Sequence, residues 1–320
     1  MLSKYYDNPE LSDQEILNIR RKIMAPAKVA ERDALSLIKL NEKIAQPTEA
    51  WKTLFSDAVS DFMLDFTTSG YVITDERAKW FIDAVQADNR LDTETELSLL
   101  IKIMNKANIV ARSLEIYMLG TVKDAVLNGT GSWGRGRRLE PGCVGKDDVE
   151  LLRQILYSVG GEGGIDISTE EAEIIYDIHD ATIDADNHES WIDLFSKMMA
   201  CFVMAGESSH NIDEKTAFER DVWLQDSRSG IDWSLGNIIR GWTSMKKEDA
   251  TLKPHLMNRD AQSRLEAVTS EEANWLINRV DRDGKVSVSE VQMLYYIQQE
   301  SPRLHETLAR YIDDMAYRQG

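Results

Sequence analysis

The sequence predicts an all-α protein that is built from tandem helix-loop-helix units. Three observations predict it: apolar residues recur at helical spacing, a short helix-start pattern occurs seven times, and the two halves contain the same elements in the same order. Residues at positions i, i+3, i+4 and i+7 share one face of an α-helix. No segment alternates polar and apolar residues for long enough to form a sheet strand, so we expect at most single-residue β-bridges between loops.

The helical spacing is clearest in three segments of the chain. They are AWKTLFSDAVSDFMLDF from Ala50, DVELLRQILYSV from Asp148, and PRLHETLARYIDDMA from Pro302. Proline is tolerated in the first turn of a helix, where its missing N–H has no intrahelical acceptor. Each segment therefore predicts an amphipathic helix with one buried face.

The helix-start pattern is an apolar marker residue that is followed, in most copies, by a helix-capping side chain. The markers are Val29, Ile73, Leu91, Ile167, Ile212, Val268 and Val286. Three copies contain a complete capping box, formed by Ser168 with Glu171, Thr269 with Glu272, and Ser287 with Glu290. In such a box the hydroxyl accepts from a first-turn N–H, and the glutamate accepts from the N–H of the cap residue. Each box therefore predicts the start of a helix.

The two halves of the chain are related by an internal duplication. An acidic-x-Trp-x-x-Leu-Phe-Ser sequence occurs around Trp51 and again around Trp191. A second matched pair of segments contains Trp80 in the first half and Trp275 in the second. Repeated segments in the same order predict two equivalent lobes.

The domain boundaries follow from the two matched halves. We predict an N-terminal helical lobe at 1–127, a linker at 128–146, and a C-terminal helical lobe at 147–320. The linker contains the glycine-rich sequence NGTGSWGRGRRLEPG, which is typical of a loop. An alternative is a basic contact surface for an acidic partner, formed by Arg135, Arg137 and Arg138.

The C-terminal lobe contains a tryptophan-rich insertion at 219–260, which has no counterpart in the first lobe. Its large aromatic residues are Trp223, Trp233 and Trp242. Burial against the repeats is one interpretation, because several exposed tryptophans would promote aggregation. The other is a partner-binding surface, since tryptophan is a frequent anchor of protein interfaces.

The composition limits the classes of partner. The 320 residues include 37 basic and 55 acidic side chains, and the net charge of −18 disfavours binding to nucleic acid or to anionic membranes. Two unrelated cysteines, Cys143 and Cys201, suggest neither a disulfide framework nor a zinc site. No apolar run is long enough for a membrane helix or a secretory signal. We therefore expect a cytoplasmic protein without membrane insertion.

The last copy of the pattern carries a family resemblance. Residues 281–290 read D-x-D-G-x-V-S-x-x-E, which resembles the second half of an EF-hand loop. The same string is similar to the D-G-x-hydrophobic-x-x-x-E element of TerB-type helical domains, which are cytoplasmic bacterial modules associated with stress responses. The EF-hand resemblance implies a helix-loop-helix array in which the marker residues form small β-bridges between partner loops.

Calcium is the cofactor that this resemblance implies. The candidate ligands are Asp281, Asp283, Ser287 and Glu290. The first position of the loop, where an EF-hand has a carboxylate, is occupied by Arg279. A guanidinium there removes one oxygen ligand and adds positive charge. This favours a metal-free loop, in which Asp283 and Gly284 form a turn and Glu290 closes the capping box.

A second acidic cluster lies in the segment HDATIDADNHES. Its candidate metal ligands are Asp184, Asp186 and His188. Ligands from one short segment rarely complete a catalytic metal shell. The competing interpretation, which we favour, is a polar helix end in which Asp186 and Asn187 turn the chain toward the Trp191 helix.

The motifs favour a non-enzymatic protein. The five histidines are scattered, and no HExxH, GxSxG or dinucleotide-binding fingerprint occurs. Our first hypothesis is an interaction or adaptor protein built from mostly metal-free EF-hand-like repeats, with another protein as its partner. The alternative is a divalent-ion sensor that uses the Asp281 loop, and a metal-dependent enzyme that uses the Asp184 cluster is a third. The partner, the pathway and the oligomeric state are left open.

Overall fold

A computed structural model describes nine segments of the chain: residues 2–6, 10–67, 70–85, 94–130, 141–157, 167–205, 270–282, 284–300 and 304–319. They belong to two compact units, Met1–Cys143 and Val144–Gly320. The described residues form twelve α-helices and one two-stranded hairpin. The predicted all-α class is therefore confirmed for the part of the chain that is described.

The first unit opens with a 3₁₀ helix, Leu2–Tyr5. Its further elements are α1 Asp13–Ile23, α2 Glu31–Asn41, α3 Glu49–Met63, β1 Asp65–Thr67, β2 Gly70–Val72, α4 Asp75–Val85, α5 Glu94–Lys106 and α6 Arg112–Asn128. Helix α3 is central, because it packs against α1, α2, α4 and α5. Its buried face includes Trp51, Phe55 and Phe62.

The start of α1 shows a capping box that the sequence pattern missed. Ser12 Oγ accepts from the N–H of Glu15 at 3.4 Å, and the Glu15 carboxylate accepts from the N–H of Ser12 at 3.0 Å. Helix α2 starts directly after the marker Val29, as predicted, but its N-cap residue is Ala30, which offers no side-chain acceptor. Instead, the N–H of the preceding Val29 donates to the Asp61 carboxylate on α3 at 2.8 Å.

The expectation that no strand would form is wrong at residues 65–72. Strands β1 and β2 pair antiparallel, with Phe66 opposite Tyr71. Gly70 adopts φ +88°, and a Cβ there would lie 2.2 Å from Oδ1 of Asn108. The hairpin therefore depends on a close backbone approach to a loop that is distant in sequence, which strand periodicity does not detect.

A single-residue bridge of the predicted kind lies beside the hairpin. Val72, next to the marker Ile73, pairs with Ile109, and the N–H of Ile73 donates to the Ile109 carbonyl at 2.9 Å. Ile109 was not among the predicted markers.

The second unit is also helical in its described part. Its elements are α7 Lys146–Tyr157, α8 Thr169–Ala181, α9 Ser190–Ala205, α10 Ser270–Val280, α11 Val288–Glu300 and α12 Glu306–Gln319. Helix α9 is central and packs most extensively against α11, with α7, α8 and α10 around it. The predicted capping box of Ser168 with Glu171 forms at the start of α8.

Aromatic pairs at matched positions have nearly the same geometry in the two units. The ring centroids of Trp51 and Phe55 lie 6.4 Å apart at 35°, and those of Trp191 and Phe195 lie 6.1 Å apart at 40°. Phe62 meets Trp80 edge-on at 4.5 Å, and their counterparts Phe202 and Trp275 meet at 4.6 Å.

In the first unit, Asp57 ties α3 to two neighbouring helices. It accepts from Arg20 of α1 at 2.8 Å and from the ammonium group of Lys102 of α5. Partial burial alone would raise the pKa of Asp57, but the hydrogen bonds and charges of Lys102 and Arg20 outweigh it and hold the pKa below its ordinary value. The ionised carboxylate therefore stabilises the folded unit.

We predict that the substitution Asp57→Asn lowers the free energy of unfolding by about 1 kcal/mol at neutral pH, because partial exposure screens the two ion pairs. A lowered folded pKa stabilises the fold fully above the unfolded pKa of about 3.9, and this contribution is lost as the pH falls through the folded pKa. Urea unfolding between about pH 7 and pH 3 should show a constant difference from wild type that narrows below about pH 4. The exposed Asp83→Asn is the control, and a difference that does not depend on pH would contradict the assignment.

Candidate functional site

The second unit contains a cleft of about 1190 Å³. Its walls are α7, the 182–189 loop that joins α8 to α9, and residues 285–289, which lead into the first turn of α11. The lining includes Arg153 from α7, His179 from α8, Trp191 from α9, and Ser289 from α11. All of these residues lie within the second unit.

A buried carboxylate organises one wall of the cleft. Glu290 is 3% exposed, and its Oε2 accepts from the N–H of Ser287 at 2.7 Å and from the Ser287 hydroxyl at 2.8 Å. Its Oε1 accepts from the Tyr176 hydroxyl on α8 at 2.8 Å. Burial raises the pKa of Tyr176, and the adjacent negative charge of Glu290 raises it further, so this hydroxyl remains a donor. The predicted capping box of Ser287 thus also joins two helices.

His179 lies at the base of the same wall. Its ring stacks on Phe195 with centroids 4.1 Å apart, and its Nε2 lies 2.6 Å from the Ser289 hydroxyl. Its Nδ1 lies 3.5 Å from the Asp180 carboxylate. Among the described residues, His179, Asp180 and Glu290 are the one set of potential metal ligands whose donor atoms converge, within 4.8 Å of one another. Because both oxygens of Glu290 already accept protein hydrogen bonds, this set suits a polar network better than an ion.

In the described part of the Asp281 loop, the candidate calcium ligands are engaged with donors of the protein. Asp281 accepts from the Tyr311 hydroxyl at 2.6 Å, and Glu290 is occupied as described above. Arg279, at the first loop position, is largely buried and forms ion pairs with Glu173 at 3.0 Å and Asp177 at 2.7 Å. The fourth candidate ligand, Asp283, lies outside the described residues.

The second predicted cluster lies on the 182–189 loop, at the rim of the cleft. Asp184 and Asp186 are exposed, and Nδ1 of His188 lies 2.7 Å from the Ser190 hydroxyl at the start of α9. The cluster is not among the convergent ligand sets of the described residues. Asn187 fixes the loop, because it accepts from the N–H of Val144 at 2.8 Å and donates to the Thr182 carbonyl at 2.6 Å.

Sequence reasoning missed two buried donors in the cleft. Trp191 is 3% exposed, and its Nε1 has no acceptor among the described residues. The Arg153 side chain is 13% exposed, and its Nε and Nη2 likewise lack an acceptor there. The sequence contained one signal that the second half differs at this site. The residue after Leu-Phe-Ser is the acidic Asp57 in the first half and the basic Lys197 in the second.

The predicted partner-binding residues cannot be placed in the same way. Trp223, Trp233 and Trp242, together with the whole 219–260 insertion, lie outside the described residues, as do Arg135, Arg137 and Arg138.

The first unit instead presents an exposed apolar cluster that the sequence analysis did not predict. We name it the hairpin surface, and it consists of Phe66, Tyr71 and Ile109. Phe66 is 77% exposed, and its ring meets that of Tyr71 edge-on at 5.2 Å.

Comparisons of the chain with protein-family models, with curated proteins and with solved structures find no match. None of the helices in the described segments has the length and apolar character needed to cross a membrane.

We predict that Glu290→Gln lowers the free energy of unfolding by about 2 kcal/mol. The substitution leaves one acceptor oxygen for three donors and buries an amide N–H₂ among them. Denaturant unfolding measures the loss, and Glu306→Gln, at an exposed position of α12, should change stability by less than about 0.5 kcal/mol.

The same pair of variants tests the calcium alternative. We expect that calcium at about 1 mM leaves the wild-type Tm unchanged, because the Glu290 oxygens are already occupied. A rise in Tm that is present in wild type and in Glu306→Gln but absent from Glu290→Gln would contradict this expectation and support an ion sensor.

Proposed function

We propose that this protein is a non-enzymatic binding protein, built from two EF-hand-like helix-loop-helix lobes, that docks a partner protein through its hairpin surface. The observation that carries the proposal is the exposure of Phe66 beside Tyr71 and Ile109 on the first unit. Single exposed apolar residues are common, but a contiguous aromatic cluster is typical of an interaction surface. The matched aromatic pairs of the two units support the duplicated lobes.

The surrounding contacts hold the hairpin surface in place. Asp65 of β1 forms ion pairs with Lys28 and Arg77, and the Arg77 guanidinium lies 4.0 Å from the centre of the Phe62 ring. On the other side, Asn108 accepts from the N–H of Tyr71 at 2.9 Å. A surface that is ordered before binding loses less conformational entropy when a partner docks.

The backbone geometry indicates what kind of partner fits. The carbonyl of Tyr71 accepts from the N–H groups of Asn108 and Ile109, so the backbone polar groups of Tyr71 point away from β1. Phe66, directly opposite, is therefore in a non-hydrogen-bonded pair, and its N–H and C=O point to the outer edge of β1. No described strand covers that edge. We propose an extended apolar segment as the partner, which adds as a strand and packs its side chains on the two rings.

The alternative proposal is a divalent-ion sensor that uses the Asp281 loop. It would require Asp281 and Glu290 to exchange the Tyr311, Tyr176 and Ser287 donors for an ion, and the calcium titration above tests it.

We predict that the double substitution Phe66→Ser, Tyr71→Ser weakens the binding of extended apolar peptides at least tenfold, because it removes both aromatic contacts. Peptides of random sequence are first selected on wild type by display, and their dissociation constants are then measured by calorimetry. Unfolding stability should change by about 0.5 kcal/mol or less, since both rings are exposed. The control is Leu17→Ser, which changes an exposed apolar residue of α1.

A peptide variant tests the strand geometry directly. N-methylation of the peptide amide that faces Phe66 should weaken binding, whereas methylation of a neighbouring amide that points away should not. Selected peptides that bind the double variant as tightly as wild type, or that bind as helices, would contradict the proposal.

A further inference from the structure

We infer that the cleft of the second unit is a binding site for a small ligand that carries both a carboxylate and a basic group, the chemistry of a peptide that ends in lysine. The inference does not depend on the hairpin surface, which belongs to the other unit. Two buried donors in the cleft, on Arg153 and Trp191, support this assignment.

The first donor is a guanidinium whose acceptor is missing. In the first unit, Arg20 of α1 donates to Asp57 of α3 at 2.8 Å. Arg153 occupies the matching position of α7. At the start of each helix an N–H, of Ser12 or of Gly145, donates to a carboxylate three residues later, and the arginine lies eight residues after that N–H. The position that matches Asp57 is Lys197, so the second unit has a cation where the first unit has the acceptor.

Asp193 compensates for this change only in part. Its Oδ2 lies 3.1 Å from Nζ of the buried Lys197 and 3.9 Å from Nη2 of Arg153. The other neighbouring carboxylate, Glu150, is mostly exposed and lies 3.7 Å from Nη1 of Arg153. Two donor atoms of the guanidinium, Nε and Nη2, therefore remain buried without an acceptor in the described structure. Adjacent guanidinium nitrogens form a planar fork that matches the two oxygens of a carboxylate.

The second donor is an indole whose acceptor has also been replaced. In the first unit, Nε1 of Trp51 donates to Oδ1 of Asn41 at 2.9 Å. Counted from the N-cap residue of its helix, His179 stands in the second unit where Asn41 stands in the first. The His179 ring stacks on Phe195 and bonds to Ser289, and Trp191 Nε1 is left without an acceptor.

The loss of an acceptor for Arg153 and the loss of one for Trp191 affect the same cavity, because both side chains line the cleft. A buried donor that lacks an acceptor destabilises the folded state, so native proteins rarely keep one without a reason. The first unit satisfies both groups internally, and the second leaves both to a ligand. A carboxylate can accept from the guanidinium and from the indole, which are donors only.

The rim of the cleft indicates the second half of the ligand. The exposed acidic residues of the lining outnumber the exposed basic ones: Glu150, Asp184, Asp186 and Glu189 against Lys146 and Lys285. Acidic residues also outnumber basic ones by nearly two to one in the second unit, whereas the two kinds are almost balanced in the first. This field opposes a purely anionic ligand and favours one with a basic group near the rim. The volume of about 1190 Å³ accommodates a short peptide.

Three peptides test the inference on the wild-type protein. N-acetylglycyl-lysine offers both groups, its carboxamide lacks the carboxylate, and N-acetylglycyl-norleucine lacks the amine. Isothermal titration calorimetry near neutral pH should show saturable binding of the first at or below about 1 mM, with each of the others at least tenfold weaker. Absence of saturable binding at about 10 mM, or equal binding of the acid and its carboxamide, would overturn the inference.

Variants then locate the site. Arg153→Gln and Trp191→Phe should each weaken binding of N-acetylglycyl-lysine at least fivefold, whereas the exposed Arg310→Gln of α12 should not. Wild-type affinity in Arg153→Gln would overturn the inference, and the peptide series decides the matter if this variant fails to fold.

A final variant copies the first unit. Asp193→Thr combined with Lys197→Asp places the residues of Thr53 and Asp57 at the matching positions of α9, which gives Arg153 an internal acceptor. We expect this variant to bind at least tenfold more weakly than wild type and to unfold at the same or a higher denaturant concentration. A variant that is folded and binds like wild type would contradict the role of the Asp57 counterpart.

Discussion

In the second unit, the carboxylate of Glu290 joins the start of α11 to the middle of α8, and the rest of the cleft wall depends on this bond. The N-terminal N–H groups of a helix have no intrahelical acceptors, so a buried helix start requires another one. Glu290 supplies it for Ser287 and at the same time accepts from Tyr176. Ser289 is thereby placed against His179, and His179 against Phe195. His179 thus occupies the position that Asn41, the acceptor of Trp51, occupies in the first unit. Because His179 bonds to Ser289, Trp191 has no acceptor there.

Capping explains how much of the fold the sequence predicts. Ser168 and Ser287 start helices as predicted, because a capping box is a local structure whose partners lie three residues apart. The box of Ser12 and Glu15 also follows an apolar residue, Leu11, so it is one more copy of the same local pattern that the seven predicted copies did not include. The hairpin is different in kind. Its glycine and its pairing depend on Asn108 and Ile109, and no local pattern reports a contact between residues so far apart in the sequence.

The site was predictable only where the two halves could be compared. Glu290 closes the capping box of Ser287 as the sequence predicted, but its other partner, Tyr176, lies 114 residues away, and no local pattern reports that contact. The exchange of Asp57 for Lys197 is visible in the sequence. The consequence of this exchange is not visible in the sequence, because it depends on which arginine packs beside α3 and which packs beside α9. Only the packed structure shows that Arg20 and Arg153 do so.

The duplicated positions also show how the two units distribute charge differently. In the first unit, Arg20, Asp57 and Lys102 form a network across α1, α3 and α5. In the second, the corresponding helix has a local pair, Lys197 with Asp193, and a close tie between two helices is formed by Arg279 of α10. Its guanidinium contacts Glu173 and Asp177 of α8 and lies 4.8 Å from the centre of the Tyr176 ring. In the EF-hand resemblance, Arg279 stands where the first carboxylate of an ion loop would be. Because a guanidinium brings a permanent positive charge, it neutralises the acidic face of α8 as a bound cation would, at every calcium concentration. Arg279 therefore gives the acidic side chains of α8 a cationic partner that belongs to the protein itself.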